Sequence, residues 1–263
     1  MNKGPIGIFD SGIGGTSIWR EINRVLPYES TIYLADSKNA PYGEKSKEQI
    51  LQLSIKNVEL LLQKGCKLIV VACNTATTNA IKELRERYHV PMIGIEPAIK
   101  PAALNSKTKT VGVLATKGTL SSALFNNTSE IHANGIKVLD QVGTGLVEQI
   151  EKGEVNTAKT RELLQNYLKP MLSQGMDQLV LGCTHYPYLI PLIKEILPEN
   201  ISIIDSGEGV ARHTKNVLQL NNLLAGPDGE SNSHQFFTNG DVNVLRFFLK
   251  DVSVPYEAQF LNF

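Results

Sequence analysis

Short runs of apolar, β-branched residues alternate along the chain with longer amphipathic stretches. In one such stretch, Leu51, Ile55, Val58 and Leu62 form a single stripe at helical spacing. Most of the short runs are apolar throughout, which is typical of parallel sheets covered by helices on both faces. The pattern therefore predicts an α/β protein with doubly wound, mainly parallel sheets. The predicted strands are residues 6–9, 31–34, 68–72, 92–95, 111–114, 136–139, 178–181 and 201–204.

Three landmarks in the first part of the chain recur in the second part, in the same order and at nearly the same spacing. They pair residues 6–9 with 111–114, residues 68–75 with 178–185, and residues 93–96 with 203–206. We interpret them as two similar, pseudo-symmetric lobes that each present one cysteine at the same strand-to-helix turn. The alternative is that short buried strands resemble one another by composition alone.

The last part of the chain, from His213 onward, is expected to add one more helix and two edge strands. The two strands are predicted at residues 235–238 and 253–260. Between them and the preceding helix, the Gly-Pro-Asp-Gly segment at residues 226–229 is typical of a turn or loop and not of a linker between domains.

Composition and charge narrow the class of protein. Apolar residues make up 42% of the 263 residues and charged residues 20%, as in ordinary globular proteins. The 26 basic residues equal the 26 acidic ones, so no net charge favours nucleic acid or an anionic membrane as a partner. A secretory signal and a run of roughly 18 apolar residues are both lacking, which predicts a cytoplasmic protein.

The number and spacing of the cysteines indicate free, reactive thiols and not disulfide bonds. Cys66, Cys73 and Cys183 include no CxxC pair, so neither a disulfide framework nor a zinc site is indicated. Cys73 and Cys183 each end a buried strand just before a predicted helix, at the sheet edge where α/β proteins bind ligands. There the helix N-terminus is expected to lower the pKa of a thiol from about 8.5. For either cysteine alone, the alternative is a small buried core residue.

Polar residues near these turns are candidate partners of the thiols. The turn at residues 10–15, Asp-Ser-Gly-Ile-Gly-Gly, is of a kind whose amides bind a carboxylate or a phosphate, although it matches neither a P-loop nor a dinucleotide motif. Asp10 could polarise one thiol and His185 the other. The alternatives are that Asp10 is only a helix cap and that His185 is an ordinary surface or core histidine. Asn74 and Thr75 are expected to cap the helix after the first thiol.

Five motifs carry a resemblance to a known family. They are FDSGIGG at residues 9–15, APYG at 40–43, ACNTAT at 72–77, GCTHYP at 182–187 and DSG at 205–207. Ordered over nearly the whole chain, they resemble the motifs of the cofactor-independent glutamate racemases. The resemblance implies one lobe at residues 1–97 plus 207–263, a second at residues 98–206, and an active site in the cleft between them. It also implies no cofactor, no metal, glutamate as the small-molecule substrate, a homodimer, and supply of D-glutamate for peptidoglycan.

The family's site residues are carried over to the matching positions. The resemblance implies that Cys73 removes the α-proton of D-glutamate with the help of Asp10, and that Cys183 removes that of L-glutamate with the help of His185. Two bases are needed because inversion removes a proton on one face and delivers one on the other. The implied substrate-binding residues are Asp10, Ser11, Tyr42, Gly43, Asn74, Thr75, Thr184, His185, Thr116 and Thr119.

Some positions depart from the family pattern. Gly143 and Thr144 stand where a Cys-Pro pair is common, and Phe125 replaces a frequent tyrosine. In some members a glutamate of the following helix lies near the second thiol, and here that residue is either Glu148 or Glu151.

Three rival functions remain open at this point. An aspartate racemase would use the same machinery with a shallower pocket. A non-catalytic two-lobe module would bind an acidic amino acid or phosphate in its cleft without needing paired thiols. A thiol redox enzyme is disfavoured, because the chain has no resolving cysteine at short spacing.

Overall fold

The computed structural model describes residues 4–132, 135–227 and 232–263 of the chain. Within these ranges, ten strands and eleven α-helices alternate, and no helix is long and apolar enough to cross a membrane. The strands are β1 (Ile6–Asp10), β2 (Thr31–Ala35), β3 (Leu68–Val71), β4 (Met92–Gly94), β5 (Thr110–Ala115), β6 (Lys137–Val142), β7 (Gln178–Gly182), β8 (Ser202–Ile204), β9 (His234–Thr238) and β10 (Glu257–Phe260).

The helices fall mainly between successive strands. The α-helices are α1 (Thr16–Val25), α2 (Lys47–Gln63), α3 (Asn74–Arg87), α4 (Ile99–Asn105), α5 (Lys117–Leu120), α6 (Ala123–His132), α7 (Leu146–Glu151), α8 (Ala158–Ser173), α9 (Ile190–Ile196), α10 (Gly207–Leu220) and α11 (Val242–Leu249). Short 3-10 helices cover Ser37–Asn39, Tyr42–Glu44 and Tyr186–Leu189.

The described strands form two parallel sheets with related strand orders. The first sheet has the order β10-β9-β2-β1-β3-β4, and the second has the order β6-β5-β7-β8. In both, the strand that opens the repeat is central, so β1 corresponds to β5, β3 to β7 and β4 to β8. These are the pairs that the sequence repeat predicted, and the α/β class with two similar lobes is confirmed. We call each sheet with its helices the first lobe and the second lobe.

Helices cover both faces of each sheet because successive strand residues point to opposite sides. Ile8 belongs to a core cluster that includes residues of α1 and α10, whereas Phe9 belongs to a cluster with α2 and α3. The second lobe shows the same division. Leu114 belongs to a cluster with residues of α8 and α9, whereas Val113 belongs to a cluster with residues of α4 and α6. The cluster that contains Ile8 and Leu114 runs through both lobes, so apolar burial joins them.

The C-terminal strands extend the first sheet, and one of them is not an edge strand. β9 lies between β10 and β2, so the prediction of two edge strands is wrong for β9 and confirmed for β10. β9 is interior because β10 pairs with the side that faces away from β2, and the ring of Trp19 in α1 packs edge-on against its Phe236, with centroids 4.8 Å apart. The division into lobes at residues 97 and 206 stays a prediction, and residues 228–229 of the predicted turn lie outside the described ranges.

Among the strands that precede β10, the largest shift in a boundary is at β6. The sequence predicts residues 136–139, whereas the strand is Lys137–Val142. The apolar run ends at Leu139, but the strand continues through the polar residues Asp140 and Gln141. It can do so because β6 is the edge of its sheet and is only partly buried. Apolar patterning marks buried strands and underestimates exposed ones.

A buried ion pair ties the C-terminal segment to the first lobe. Lys67 Nζ lies 2.6 Å from Glu29 Oε2, and both side chains are 2% exposed. The other carboxylate oxygen of Glu29 accepts the Ala225 N–H at 2.7 Å. Removing one member of a buried pair leaves the other charge without compensation, which costs about 3–5 kcal/mol.

We therefore expect Lys67→Met to lower the free energy of unfolding by about 3–5 kcal/mol, because Glu29 stays buried without its counter-charge. Adding Glu29→Gln recovers most of the loss, since the neutral amide oxygen still accepts the Ala225 N–H. Urea unfolding followed by circular dichroism measures both variants. Equal losses in the single and double variants would contradict the ion-pair explanation.

Candidate active site

Asp10 links the end of β1 to the second lobe. Its side chain is fully buried; Oδ2 accepts the Gly15 N–H at 2.9 Å, and Oδ1 accepts the Thr184 hydroxyl at 3.3 Å. Burial, the largest influence, raises the pKa of Asp10, while the charge of His185 and the Gly15 hydrogen bond act in the opposite direction. The carboxyl group is thus held between the two lobes.

Cys73 follows β3 and is itself the N-cap of α3. The Ala76 N–H donates to its sulfur at 3.4 Å, and the thiol donates to Ser11 Oγ at 3.6 Å. The prediction that Asn74 and Thr75 cap this helix is wrong, because they are its first two residues. The helix N-terminus nevertheless points at the thiol, as the sequence predicted.

The pKa of the Cys73 thiol is raised well above its ordinary value, so the expected lowering is wrong for this cysteine. Burial is the main cause and the charge of Asp10 adds to it, whereas the bonds from Ala76 and to Ser11 only partly oppose them. Loss of solvation therefore outweighs the helix N-terminus. The thiol is neutral at neutral pH.

Cys183 follows β7 and faces a histidine from its own turn. The next element is the 3-10 helix Tyr186–Leu189, not the predicted α-helix, which begins only at Ile190. His185 Nδ1 lies 3.7 Å from the Cys183 sulfur, and its Nε2 lies 2.6 Å from Glu151 Oε1. Of the two glutamates that the sequence left open, Glu151 is the one that contacts the site histidine.

His185 carries a positive charge at neutral pH. Burial lowers its pKa, but the hydrogen bonds with Cys183 and Glu151, together with the charges of Cys183 and Asp10, outweigh burial and raise the pKa well above 6.5. The Asp10 carboxylate lies 3.9 Å from Nδ1. In this charged form both ring nitrogens donate, one toward the thiol and one to Glu151.

Glycines in the turn after β1 let the second lobe approach. A Cβ on Gly12 would lie 1.9 Å from Glu151 Oε1, and a Cβ on Gly14 would lie 2.2 Å from His185 Nδ1. Between them, the Ile13 N–H donates to Glu151 Oε1 at 2.7 Å. The turn therefore holds a carboxylate, as its sequence suggested, but this carboxylate belongs to the protein itself.

One small cavity between the lobes brings the predicted site residues together. It is narrow, with a cavity volume of about 10 Å³, room for about one water molecule. The predicted site residues that line it are Ser11, Tyr42, Gly43, Cys73, Asn74, Thr75, Thr116, Cys183, Thr184 and His185. Asp10 and Thr119 do not line it, although each hydrogen-bonds to a residue that does.

The sequence missed Pro41 and Val147 in the cavity wall and did not settle on Glu151. Pro41 lies within the APYG motif, which was the available signal. Val147 is an apolar residue of α7 with no chemical signature. Glu151 could be singled out only by knowing which turn of α7 faces His185.

Threonine hydroxyls close the cleft between the lobes on the side of α3 and α5. Thr75 Oγ1 lies 2.8 Å from Thr116 Oγ1 and 3.3 Å from Thr119 Oγ1. Nearby, Asn79 Nδ2 donates to the Gly118 carbonyl at 2.9 Å. These hydrogen bonds cross from the first lobe to the second and narrow the cavity.

The positions that depart from the family pattern do not disturb the cavity. Phe125 is buried in the core cluster with Ile99 and Val113. A Cβ on Gly143 would lie 2.3 Å from the Tyr186 hydroxyl oxygen, and the Gly143 carbonyl accepts that hydroxyl at 3.2 Å. Among the described residues, no cluster of histidine, cysteine and acidic side chains is arranged to hold a metal ion.

Comparison with known proteins agrees with this arrangement of two lobes around a cleft. The family model described as Asp/Glu/Hydantoin racemase matches residues 6–214. The chain belongs to this family. As a member of a racemase family it is an isomerase.

Individual relatives cover nearly the whole chain. The glutamate racemase of Ectopseudomonas mendocina is 46% identical over 250 residues, or 95% of this chain and 94% of the relative. The structure of a glutamate racemase isoform from Bacillus anthracis is 33% identical, with a TM-score of 0.87, and covers 100% of this chain and 99% of that one. Escherichia coli glutamate racemase, solved with L-glutamate and the activator UDP-MurNAc-Ala, is 33% identical, with a TM-score of 0.83 and 94% coverage of both chains.

The glycine turn yields a direct test. We expect Gly14→Ala to reduce racemase activity at least about 100-fold, because the new methyl group displaces His185 by more than the roughly 1 Å that such sites tolerate. Gly209→Ala in α10 is the matched control, since a Cβ there meets nothing within 4 Å. It should keep full activity and gain up to about 1 kcal/mol in stability. Steady-state kinetics and thermal unfolding measure both; full activity of Gly14→Ala would contradict the close-approach argument.

The charged histidine predicts a pH dependence of stability. The pKa of His185 is higher in the folded protein than in the unfolded chain, where it is about 6.5, so protonation of His185 stabilises the fold. This stabilisation is complete below pH 6.5 and is lost as the pH rises through the pKa of the folded state. Glu151→Gln removes one cause of the shift, so it should cost most stability at pH 6 and progressively less at higher pH. The difference amounts to about 1.4 kcal/mol for each pKa unit removed. Urea unfolding between pH 6 and 9 measures it, and a pH-independent difference would contradict the assignment.

Proposed function

We propose that this chain is a glutamate racemase that interconverts L- and D-glutamate by two-base proton transfer, with Cys73 and Cys183 as the bases and without pyridoxal phosphate. The observation that carries the proposal is that the two thiols come from equivalent turns of the two lobes and line the same cavity. A pseudo-symmetric pair of bases is what inversion at one carbon requires.

The groups beside the two thiols favour one starting direction. The raised pKa keeps the Cys73 thiol protonated and ready to donate. The protonated His185, 3.7 Å from the Cys183 sulfur, stabilises negative charge there. From L-glutamate, the Cys183 thiolate takes the α-proton, and Cys73 gives its proton to the opposite face of the carbanion. The products are D-glutamate, a Cys183 thiol and a Cys73 thiolate, and the reverse reaction restores the starting state.

Asp10 and His185 are the proposed assistants of the two thiols. Cys73 must lose its proton before it can act as the base for D-glutamate. The neighbouring carboxylate of Asp10 can take this proton, because burial raises the pKa of Asp10 and so makes it a stronger base. His185 assists Cys183 differently: its protonated ring stabilises negative charge on the sulfur, and Glu151 holds the ring through the Nε2 hydrogen bond.

Neutral donors in the cavity are proposed to bind the carboxylates of the substrate. Asn74 Nδ2 is buried and has no hydrogen-bond partner among the described residues, although Asn74 lines the cavity. An unpartnered buried donor is costly, and a substrate carboxylate would satisfy it. Preorganised donors of this kind also stabilise the charge that develops on a carboxylate when the α-proton leaves. Ser11, Thr75, Thr116 and Thr184 supply further hydroxyl groups.

The choice of glutamate rests on the relatives. The curated relative from Ectopseudomonas mendocina is a glutamate racemase, and the Escherichia coli enzyme was solved with L-glutamate. The activator bound to that enzyme, UDP-MurNAc-Ala, supports supply of D-glutamate for peptidoglycan as the role of this chain. A cytoplasmic homodimer that needs no cofactor is part of the same proposal.

The decisive experiment replaces each cysteine in turn. We expect Cys73→Ala and Cys183→Ala each to abolish racemisation, because each leaves one face of the α-carbon without a proton donor or acceptor. Cys66→Ala is the matched control: it is also a buried thiol, but it packs in the core and does not line the cavity. It should retain activity. Circular dichroism of L- and D-glutamate, and of both aspartate enantiomers, follows turnover without added cofactor.

Solvent deuterium separates this proposal from its rivals. In D₂O, the wild type should incorporate deuterium at Cα of the product enantiomer. Full turnover in Cys73→Ala or Cys183→Ala would contradict the two-base assignment, and preferential turnover of aspartate would replace glutamate as the substrate. Binding of glutamate without any proton exchange would point to a non-catalytic module. Turnover of a disulfide substrate would favour the redox enzyme.

A further inference from the structure

The loop between β2 and α2 forms one wall of the cavity. It contributes Pro41, Tyr42 and Gly43 to the lining. The loop contains two single-turn 3-10 helices and no strand, so main-chain pairing fixes little of its path. A Cβ on Gly43 would lie 2.8 Å from Thr116 Cβ in the second lobe, which leaves no room for the loop to shift. Side-chain contacts must therefore set its position.

Tyr42 is the side chain that anchors this loop. Its hydroxyl donates to Asp36 Oδ2 at 2.5 Å and accepts from Asn57 Nδ2 of α2 at 3.2 Å, and the side chain is 1% exposed. Burial first, and then the charge of Asp36, raise the pKa of Tyr42 well above its ordinary value, so the phenol remains a donor. The loop position follows from where the Asp36 carboxylate is held.

The C-terminal segment holds that carboxylate. Asn239, directly after β9, donates through Nδ2 to Asp36 Oδ1 at 2.6 Å, and its Oδ1 accepts the Lys38 N–H at 2.9 Å. Asn39 Nδ2 also donates to Asp36 Oδ1, at 2.8 Å. Asn239 Nδ2 reaches the Phe263 main-chain oxygen at 3.1 Å as well. The buried Asn239 amide thus hydrogen-bonds to both Asp36 and Lys38, the two ends of the turn from which the loop starts.

We propose that Asn239 is a positioning residue for substrate binding: through Asp36 it sets the Tyr42–Gly43 wall of the cavity. Residue 239 lies beyond residues 6–214, which the family model matches. The inference rests on the proposed function, because the wall is taken to contact glutamate. The two thiols stand on other elements, after β3 and after β7, so they do not depend on this network. Loss of the Asn239 amide therefore weakens binding more than proton transfer.

The test compares kcat and KM in Asn239 variants. We expect Asn239→Ala to raise KM for both glutamate enantiomers about 10- to 100-fold, as expected when a buried carboxylate loses a donor, and to change kcat less than about threefold. Its backbone should stay in place, because the Asn239 N–H donates to the Ala35 carbonyl at 3.3 Å. A purely structural role would lower the amount of folded enzyme and leave KM unchanged.

A second variant, which introduces a charge at position 239, tests the inference if Asn239→Ala does not fold. Asn239→Asp puts a second carboxylate beside Asp36 and should raise KM further through repulsion. Adding Asp36→Asn removes the repulsion: an amide again donates to a carboxylate, and an amide oxygen still accepts the Tyr42 hydroxyl, while the Asn39 and Phe263 contacts of the wild type are not restored. We expect the double variant to recover at least about tenfold in kcat/KM over Asn239→Asp, the value of one charge-assisted hydrogen bond.

Asp241→Ala is the control for the C-terminal segment. Asp241 caps α11 through the Asn243 N–H at 2.8 Å and is two residues from Asn239, so its loss destabilises this segment without reaching Asp36. Its KM should equal that of the wild type. Unchanged KM in Asn239→Ala, an equal rise in Asp241→Ala, or no recovery in the double variant would each overturn the inference. A wild type that does not racemise glutamate would instead overturn the proposed function.

Discussion

The contact between the glycine turn after β1 and the carboxylate of Glu151 determines how the two lobes meet. Glu151 accepts the Ile13 N–H and holds the His185 ring, so one carboxylate fixes the first lobe and the site histidine together. Gly12 and Gly14 make this possible because a side chain at either position would occupy the space of those groups. The spacing of the two thiols across the cavity depends on this approach.

The two halves of the site then differ in the groups that lie beside each thiol. The lobes share a strand order, and each places a cysteine after the corresponding strand. Burial, with the charge of Asp10 beside it, raises the pKa of Cys73, whereas Cys183 faces His185, whose pKa is raised by its hydrogen bonds with Cys183 and Glu151 and by the charges of Cys183 and Asp10. Similar main-chain architecture thus gives the two cysteines different surroundings, a carboxyl group beside one and a protonated histidine beside the other.

The cavity wall away from the sheets depends on the end of the chain. Regular hydrogen bonding fixes the turns after β1, β3 and β7, but the loop that carries Tyr42 is irregular and is held by a buried polar network. Such networks are costly when their members are unpaired, and here Asn239 supplies a donor to the Asp36 carboxylate and an acceptor for the Lys38 N–H. The two C-terminal strands therefore extend the first sheet and also support the site.

The sequence alone determined the α/β class, the repeat and both cysteine turns, because apolar periodicity and strand-end residues are local properties. It also indicated ten cavity-lining residues by resemblance. Tertiary structure decided what depends on distant neighbours: β9 is interior because β10 pairs with it on the side away from β2, and the pKa of Cys73 is raised because burial outweighs the helix N-terminus. Glu151 and Asn239 could not be singled out, since their partners lie far away in sequence and are brought close only by folding.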